Sequence, residues 1–141
     1  MTLVGKLHVS LPPQEAFRLF TARGERDWVD GWAPAFPDEV ADDATIGTVF
    51  ETDAHGHHAT WIVVDSEENR RIRYARVVTG RDAGTVAVEL KPDGDGSEVT
   101  VTYQLTALTE AGGDYLATFA ENYPAFIDSW AEALASRASH H

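Results

Sequence analysis

The densest group of side chains with metal-binding or acid–base chemistry lies around residue 55. Glu51 and Asp53 precede His55, His57 and His58, and imidazole with carboxylate is a common ligand set for zinc or iron. On a hairpin, His55 and His57 would share a face while His58 points away, so a metal would need a carboxylate as well. We predict a solvated hairpin tip with no metal or other cofactor. A metal site, or proton transfer at a pocket mouth, is the alternative.

Arg76 has the most unusual predicted environment of any single residue. A strand is predicted over Arg71–Val78, and its alternation places Arg76 on the apolar face that should meet the core, unless the register is shifted by one residue. A guanidinium stays charged even when buried, so it needs an acidic partner or an anionic ligand. The sequence therefore predicts either a structural ion pair with a carboxylate such as Glu51 or a binding site for a ligand carboxylate.

Two tyrosines are predicted on the same face as Arg76. Tyr74 lies two residues before it, and Tyr103 belongs to a later strand in which apolar and polar residues alternate. A core tyrosine usually has its hydroxyl satisfied by the protein. In a cavity, the same hydroxyl could orient a carbonyl or act as a general acid. Both roles are open from the sequence.

Other classes of chemistry find no support in the chain. There is no cysteine and no serine in a G-x-S-x-G elbow, so covalent catalysis is not expected. The glycines of GRDAG and GDG are predicted in hairpin turns and form neither a phosphate loop nor a dinucleotide fingerprint. Asp and Glu number 23 against 11 Lys and Arg, a net charge of −12, which argues against nucleic acid and membrane surfaces as partners.

Apolar periodicity predicts the elements that position these side chains. A first strand over residues 6–10 is followed by two short helices, five alternating strands and a helix over residues 110–136. The five strands are predicted at residues 48–53, 59–65, 71–78, 85–90 and 99–105, with a turn over residues 80–84. Pro124 interrupts the final helix and should kink it there or break it just before, and we favour the kink.

The order of these elements predicts the fold. Five consecutive strands with short turns form an antiparallel meander, and its apolar face must be covered. The C-terminal helix is the large apolar partner, and a twisted sheet around it leaves room for a cavity. We predict an α+β fold in which a six-stranded antiparallel curved sheet wraps around a long C-terminal helix, with two short helices between strands 1 and 2.

The length of the chain predicts one domain. It has 141 residues and a mass of 15.4 kDa, which suits a single domain over residues 1–141. No apolar run approaches the roughly 18 residues of a membrane span. The opening MTLVGKLHVSLPP lacks the pattern of a signal peptide, so we expect a cytoplasmic protein.

Several segments resemble a known superfamily. They are GERDWVDGWAPAFP after the first helix, GTVFETD, TWIVVD, RYARVVTG, and VTVTYQLTALTEAG before the last helix. Together with the order of elements they resemble the SRPBCC superfamily, also called START-like or birch-pollen-allergen-like, over nearly the whole chain. The resemblance implies a helix-grip fold with a deep pocket for a hydrophobic or amphipathic small molecule. It implies no single reaction, because members include lipid carriers, hormone receptors, polyketide cyclases and chaperone ATPase activators.

We therefore expect the chain to bind a small hydrophobic or aromatic molecule in the cavity, as a monomer or homodimer. The apolar wall is predicted from Trp32, Phe36, Phe50, Trp61, Phe119 and Tyr123, and the polar end of the ligand is expected at Tyr74, Arg76 and Tyr103. One alternative is an enzyme like the polyketide cyclases or dehydratases, using acid–base residues in the same cavity. Another is an interaction protein like the chaperone activators, which would need an exposed apolar patch that the alternating strands do not indicate.

Overall fold

The predicted sheet is present in the computed structural model, which describes residues 1–29, 31–38, 42–53 and 57–138. Among these residues six strands form one antiparallel sheet in the order β1-β6-β5-β4-β3-β2. The strands are β1 (Thr2–Val9), β2 (Val49–Thr52), β3 (Ala59–Glu67), β4 (Arg71–Val78), β5 (Asp82–Asp93) and β6 (Gly96–Ala107). The predicted α+β architecture is confirmed.

Short helices follow β1, as the sequence predicts. Helix α1 (Pro13–Ala16) has proline in its first turn, where the missing N–H costs nothing, and it runs directly into a 3₁₀ helix over Phe17–Phe20. A second 3₁₀ helix covers Gly24–Asp27. These turns place Phe17, Leu19 and Phe20 in the core.

The C-terminal helical segment is divided into α2 (Glu110–Glu121) and α3 (Tyr123–Ala138). Asn122 leaves the helical region at φ −98° and ψ 5°, two residues before Pro124, which has no N–H to continue the hydrogen-bond ladder. The interruption is therefore a break just before the proline, and the favoured prediction of a kink at Pro124 is wrong. The Asn122 carbonyl still accepts from the Phe126 N–H at 2.9 Å, so the chain stays helical on either side.

The helices cover the concave face of the sheet. Helix α3 crosses β1 so closely that a Cβ on Gly5 would lie 2.7 Å from Ile127 Cγ1, and glycine permits that approach. Val99 and Val101 of β6 are fully buried beneath. Leu116 of α2 and Leu134 of α3, which belong to the predicted apolar stripe, are also buried.

Strand β5 begins earlier than the sequence predicts. Asp82 pairs with Val78 of β4 and with Ala107 of β6, so residues 82–84 belong to the strand and not to the turn predicted over residues 80–84. Gly84 pairs with Arg76 and with Leu105. A Cβ at Gly84 would overlap the Gln104 carbonyl oxygen, so this strand position requires glycine, which sequence reasoning had taken as a sign of a turn.

Candidate ligand cavity

A cavity of about 190 Å³ lies between the concave face of the sheet, helices α2 and α3, and the segment that contains Gly24–Asp27. Its wall is mainly aromatic and aliphatic, with a few charged side chains. The lining residues are Glu25, Val29, Trp32, Thr52, His57, Ala59, Trp61, Tyr74, Arg76, Val78, Arg81, Val86, Val88, Tyr103, Tyr115, Phe119, Phe126 and Trp130.

Six of the nine residues predicted at the ligand line this cavity: Trp32, Trp61, Tyr74, Arg76, Tyr103 and Phe119. The aromatic rings among them meet edge to face, with the Trp32 and Trp61 centroids 5.6 Å apart and those of Tyr103 and Phe119 5.3 Å apart. Such contacts fix the ring orientations. The wall is therefore formed by rings that support one another.

The other three predicted residues lie behind the wall. Phe50 is buried and stacks on Trp61, with ring centroids 5.6 Å apart and planes 6° apart. Phe36 packs against Phe50 at 5.8 Å. Tyr123 donates its hydroxyl to the Val101 carbonyl at 2.8 Å, and burial raises its pKa to about 12. Phe50 alternates with its strand neighbours, Phe36 lies in the loop before β2, and Tyr123 begins α3. Apolar periodicity alone does not separate a lining ring from one behind the wall.

The two tyrosines of the polar end differ in what their hydroxyls do. Tyr74 donates to the Phe20 carbonyl at 2.7 Å, so its hydroxyl is used by the fold. The Tyr103 hydroxyl has no hydrogen bond with any residue in the described part of the chain. Burial raises the pKa of both phenols, so both stay protonated at neutral pH. Tyr103 is consequently the tyrosine able to donate to a ligand.

Arg76 forms an ion pair, but Glu51 is not its partner. Its Nη2 donates to Oδ1 of Asp82 at 2.7 Å, and Arg81 Nε donates to Oδ2 of the same carboxylate at 2.6 Å. Asp82 is fully buried, whereas the two arginine side chains are 11% and 12% exposed. We call Arg76, Asp82 and Arg81 the arginine cluster. Arg76 faces the core side as predicted, whereas its actual partner was assigned to a turn.

The arginine cluster is fixed in place by the start of helix α2. The Thr109 side chain caps this helix by accepting from the Gly112 N–H at 2.9 Å and donates to the Gly80 carbonyl at 2.7 Å. The Leu108 N–H donates to the Arg81 carbonyl at 3.0 Å. The Arg81 guanidinium lies 3.7 Å from the centroid of the Tyr115 ring, a cation–π contact. Backbone and side chain of Arg81 are thus both held.

Glu25 is a lining residue that sequence reasoning missed. It lies in the 3₁₀ helix Gly24–Asp27 and lines the cavity opposite a mostly apolar wall. Burial raises the pKa of its carboxyl well above the ordinary value, and the nearby Asp43 raises the pKa further. No pattern marked it, because a single glutamate in a short helix is usually a surface residue.

The two described histidines of this hairpin, His57 and His58, have different surroundings. His57 lines the cavity and meets the half-exposed Tyr115 ring at 6.3 Å. His58 is exposed, with Nδ1 2.7 Å from Asp53 Oδ1 and Nε2 3.2 Å from Glu51 Oε1, so carboxylates flank both of its ring nitrogens. His55 lies outside the described residues. His57 is therefore the histidine at the pocket mouth.

The outer face of the sheet carries apolar side chains. Val49, Ile62, Val64 and Val77 are 37–44% exposed, and Val49 of β2 is paired with Ile62 of β3. Val77 lies diagonal to Ile62 across β3 and β4. We call these four residues the outer valine stripe. The expectation that the strands give no sign of an apolar patch is wrong for this face.

The comparisons with known proteins agree with this fold. A family model described as "Activator of Hsp90 ATPase homolog 1-like protein" matches residues 10–135. The chain belongs to that family. The resemblance to the SRPBCC superfamily is thereby confirmed. Proteins that share a fold can differ in activity. Family membership therefore does not identify a ligand.

Solved structures match this family member over almost its full length. Protein MLL2253 from Mesorhizobium loti has a TM-score of 0.72 at 17% identity, covering 96% of this chain and 98% of that one. For Ara h 8.0201 the TM-score is 0.71 at 13% identity, with 99% and 98% covered. For the Aha1 dimer from Colwellia psychrerythraea it is 0.66 at 15% identity, with 95% and 96% covered. At these identities the likeness concerns the fold.

No functionally curated protein is significantly similar in sequence.

Among the described residues, none of the helices is both long enough and apolar enough to span a bilayer.

Proposed function

We propose that this chain binds a small hydrophobic or aromatic molecule in the cavity between its sheet and its C-terminal helices. The observation that carries the proposal is the aromatic cavity with a free Tyr103 hydroxyl on its wall. Protein interiors are normally packed without voids of this size, and an apolar wall with a few polar groups is typical of ligand sites. Trp32, Trp61 and Phe119 would contact the ligand body, and Tyr103 and Arg76 its polar end.

The volume limits the size of the ligand. An apolar cavity of about 150 Å³ is large enough to hold benzene, and this cavity measures about 190 Å³. One aromatic ring, or two fused rings, is the size that fits. A long polyketide chain is larger than this space.

Native mass spectrometry of the protein purified from its own host tests the proposal. We expect a reproducible bound mass that is released on denaturation. Ala59→Phe should abolish it, because Ala59 is a buried lining residue and phenyl would fill the cavity. Ala75→Phe, on the outer face beside Ile62, is the matched control and should retain it. A bare protein mass, together with no uptake of neutral 2-naphthol by the wild type, would contradict the proposal.

A second candidate is an enzyme that moves protons on a ligand held in the same cavity. The favouring observation is Glu25, whose raised pKa brings a carboxyl toward the pH range of acid–base catalysis, with the free Tyr103 hydroxyl on the same wall. Exchange of an acidic C–H of a bound cyclic ketone for deuterium would support it. Exchange that is equally fast with Glu25→Gln would count against Glu25.

A third candidate is an interaction protein that uses the outer valine stripe. Exposed apolar residues in one patch mark contact surfaces more often than scattered ones do. Ile62→Lys should weaken such an interaction while leaving ligand uptake intact, whereas Ala59→Phe should do the reverse. The two variants therefore separate the outer-face role from the cavity role.

A further inference from the structure

The arginine cluster carries more positive than negative charge. Two guanidinium groups share the single Asp82 carboxylate, and each occupies one of its oxygens. Guanidinium does not lose its proton in proteins, so, counting the ion pairs of the described residues, the cluster has one surplus positive charge beside the cavity. Both arginines line the cavity with little exposure. The excess is local, because the whole chain has a net charge of −12.

Arg76 also has an unused hydrogen-bond donor. Its Nε is buried and has no hydrogen-bond partner in the part of the chain that the structure describes, which is costly for a donor in a protein interior. Its guanidinium carbon lies 5.8 Å from the centroid of the Tyr103 ring, so the unused donor and the free Tyr103 hydroxyl belong to the same region of the wall. The Tyr103 hydroxyl lacks an acceptor among the described residues, and a ligand oxygen beside the Arg76 guanidinium would provide one.

The remaining acidic group on the wall does little to cancel this charge. Asp82 lies behind the cavity wall, so Glu25 is the carboxyl among the described residues that line the cavity. Burial, and then the nearby Asp43, raise its pKa and favour its neutral form. Tyr74 and Tyr103, which face it from β4 and β6, stay protonated. His57 at the mouth adds either no charge or a positive one. The cavity as a whole therefore favours a single negative charge.

We propose that the cavity ligand is a small aromatic monocarboxylate, with its carboxylate beside Arg76, Arg81 and Tyr103 and its one or two rings among Trp61, Phe119 and Trp130. This proposal rests on the proposed function and adds the charge class of the ligand. The Asp82 carboxylate holds the two guanidinium groups in place, so they need no rearrangement to receive the anion. Arg81, which the sequence did not single out, supplies the charge that Asp82 does not cancel.

A matched pair of probes tests the charge class apart from the binding itself. 2-Naphthoate and 2-naphthamide have the same ring system and nearly the same shape, but only the first is an anion. Titration calorimetry at neutral pH and low salt should give a dissociation constant about tenfold or more lower for naphthoate. Equal affinity for the two probes would overturn this proposal and leave the proposed function standing. If neither probe binds, both this proposal and the proposed binding of an aromatic molecule in the cavity are overturned.

Variants of Arg81 then connect the preference to the cluster. Arg81→Met removes the surplus charge and leaves the Arg76–Asp82 pair, so naphthoate should weaken about tenfold while naphthamide stays within about twofold. Arg81→Lys keeps the charge and should keep the preference. Arg73→Met is the control for chain charge, because Arg73 is exposed on the same sheet. A loss of preference in Arg73→Met as large as in Arg81→Met would overturn the assignment to the cluster.

Discussion

Two charge clusters in this protein have opposite charge arrangements and opposite surroundings. In the arginine cluster an aspartate lies between two arginines at 2.7 and 2.6 Å. At the base of the β2–β3 hairpin, His58 lies between Asp53 and Glu51 at 2.7 and 3.2 Å. We call the latter three residues the histidine cluster. The central Asp82 is fully buried, whereas the His58 side chain is 53% exposed.

The difference shows that burial, and not spacing, decides what a charge cluster does. Water screens the histidine cluster, so its ion pairs contribute little to stability. Around Asp82 the carboxylate and both guanidinium groups have lost most of their water, and each depends on the others. The surplus charge of the arginine cluster is only weakly screened, because little water reaches it.

The largest effect is expected from removing the central carboxylate of the buried cluster. Asp82→Ala leaves two buried guanidinium groups without a counter-charge and should lower the free energy of unfolding by about 3–5 kcal/mol. Urea unfolding measures it. Asp53→Ala, the matched change at the exposed cluster, should leave the unfolding midpoint unchanged within error. A similar decrease in the free energy of unfolding for both variants would show that burial does not distinguish the two clusters.

A smaller loss is expected from Gly112→Ala, which tests how the arginine cluster is positioned. A Cβ there would overlap the Arg81 carbonyl oxygen, so α2 must move away from the cluster, at a cost of about 1–3 kcal/mol. Gly113→Ala is the neighbouring control, since its Cβ would meet nothing closer than Ala107 Cβ at 4.0 Å. That control should be neutral or slightly stabilising by helix propensity. Equal stability of the two variants would show that close packing on Arg81 is unimportant.

The contribution of Glu25 to the free energy of unfolding should depend on pH. Its pKa is raised in the fold, so the folded state binds this proton more tightly than the unfolded state. The resulting stability is fully present below the unfolded pKa near 4.5 and is lost as pH rises through the folded pKa. Compared with Glu25→Gln, the wild type should therefore lose stability across that window in urea unfolding series. A wild-type-to-variant difference that is constant with pH would contradict a raised pKa of Glu25 in the folded protein.

The smallest effect is expected at His58. Asp53 and Glu51 hydrogen-bond its ring and raise its pKa, so its contribution to stability is present below pH 6.5 and is lost as pH rises through the folded pKa. His58→Gln should reduce stability slightly at pH 5.5 and not at pH 8.5, in melts at low salt. The difference at pH 5.5 should disappear in about 1 M salt, where the Debye length is about 3 Å. A difference that survives high salt would mean that the cluster is not governed by solvent screening.

Much of the fold could be predicted from the sequence because its apolar periods are regular. Alternation placed Arg76 and Tyr103 on the inner face, and the helical stripe with Leu116 and Ile127 is buried as expected. Asp82, the partner of Arg76, could not be predicted, because the glycines at 80 and 84 indicate a turn over the whole segment between them. The strand starts between them, and Gly84 serves a close backbone approach.

The site was harder to predict than the fold. Phe50 and Phe119 look alike in the sequence, yet one lies behind the cavity wall and the other lines it. That distinction depends on the distance between the helices and the sheet, which the apolar periodicity of a single segment does not predict. Glu25 was missed for a related reason, because its environment comes from Asp43 and from the distant strands β4 and β6.

The most direct test of ligand binding in the cavity uses the four tryptophans as reporters. Trp32, Trp61 and Trp130 line the cavity, whereas Trp28 is buried beside it with its indole N–H on the Leu19 carbonyl. We would follow their indole N–H signals by NMR during titration with 2-naphthoate, assigned through single Trp→Phe variants. The account predicts saturable shifts at Trp32, Trp61 and Trp130, with the smallest shift at Trp28. Shifts absent from all four signals, or largest at Trp28, would contradict it.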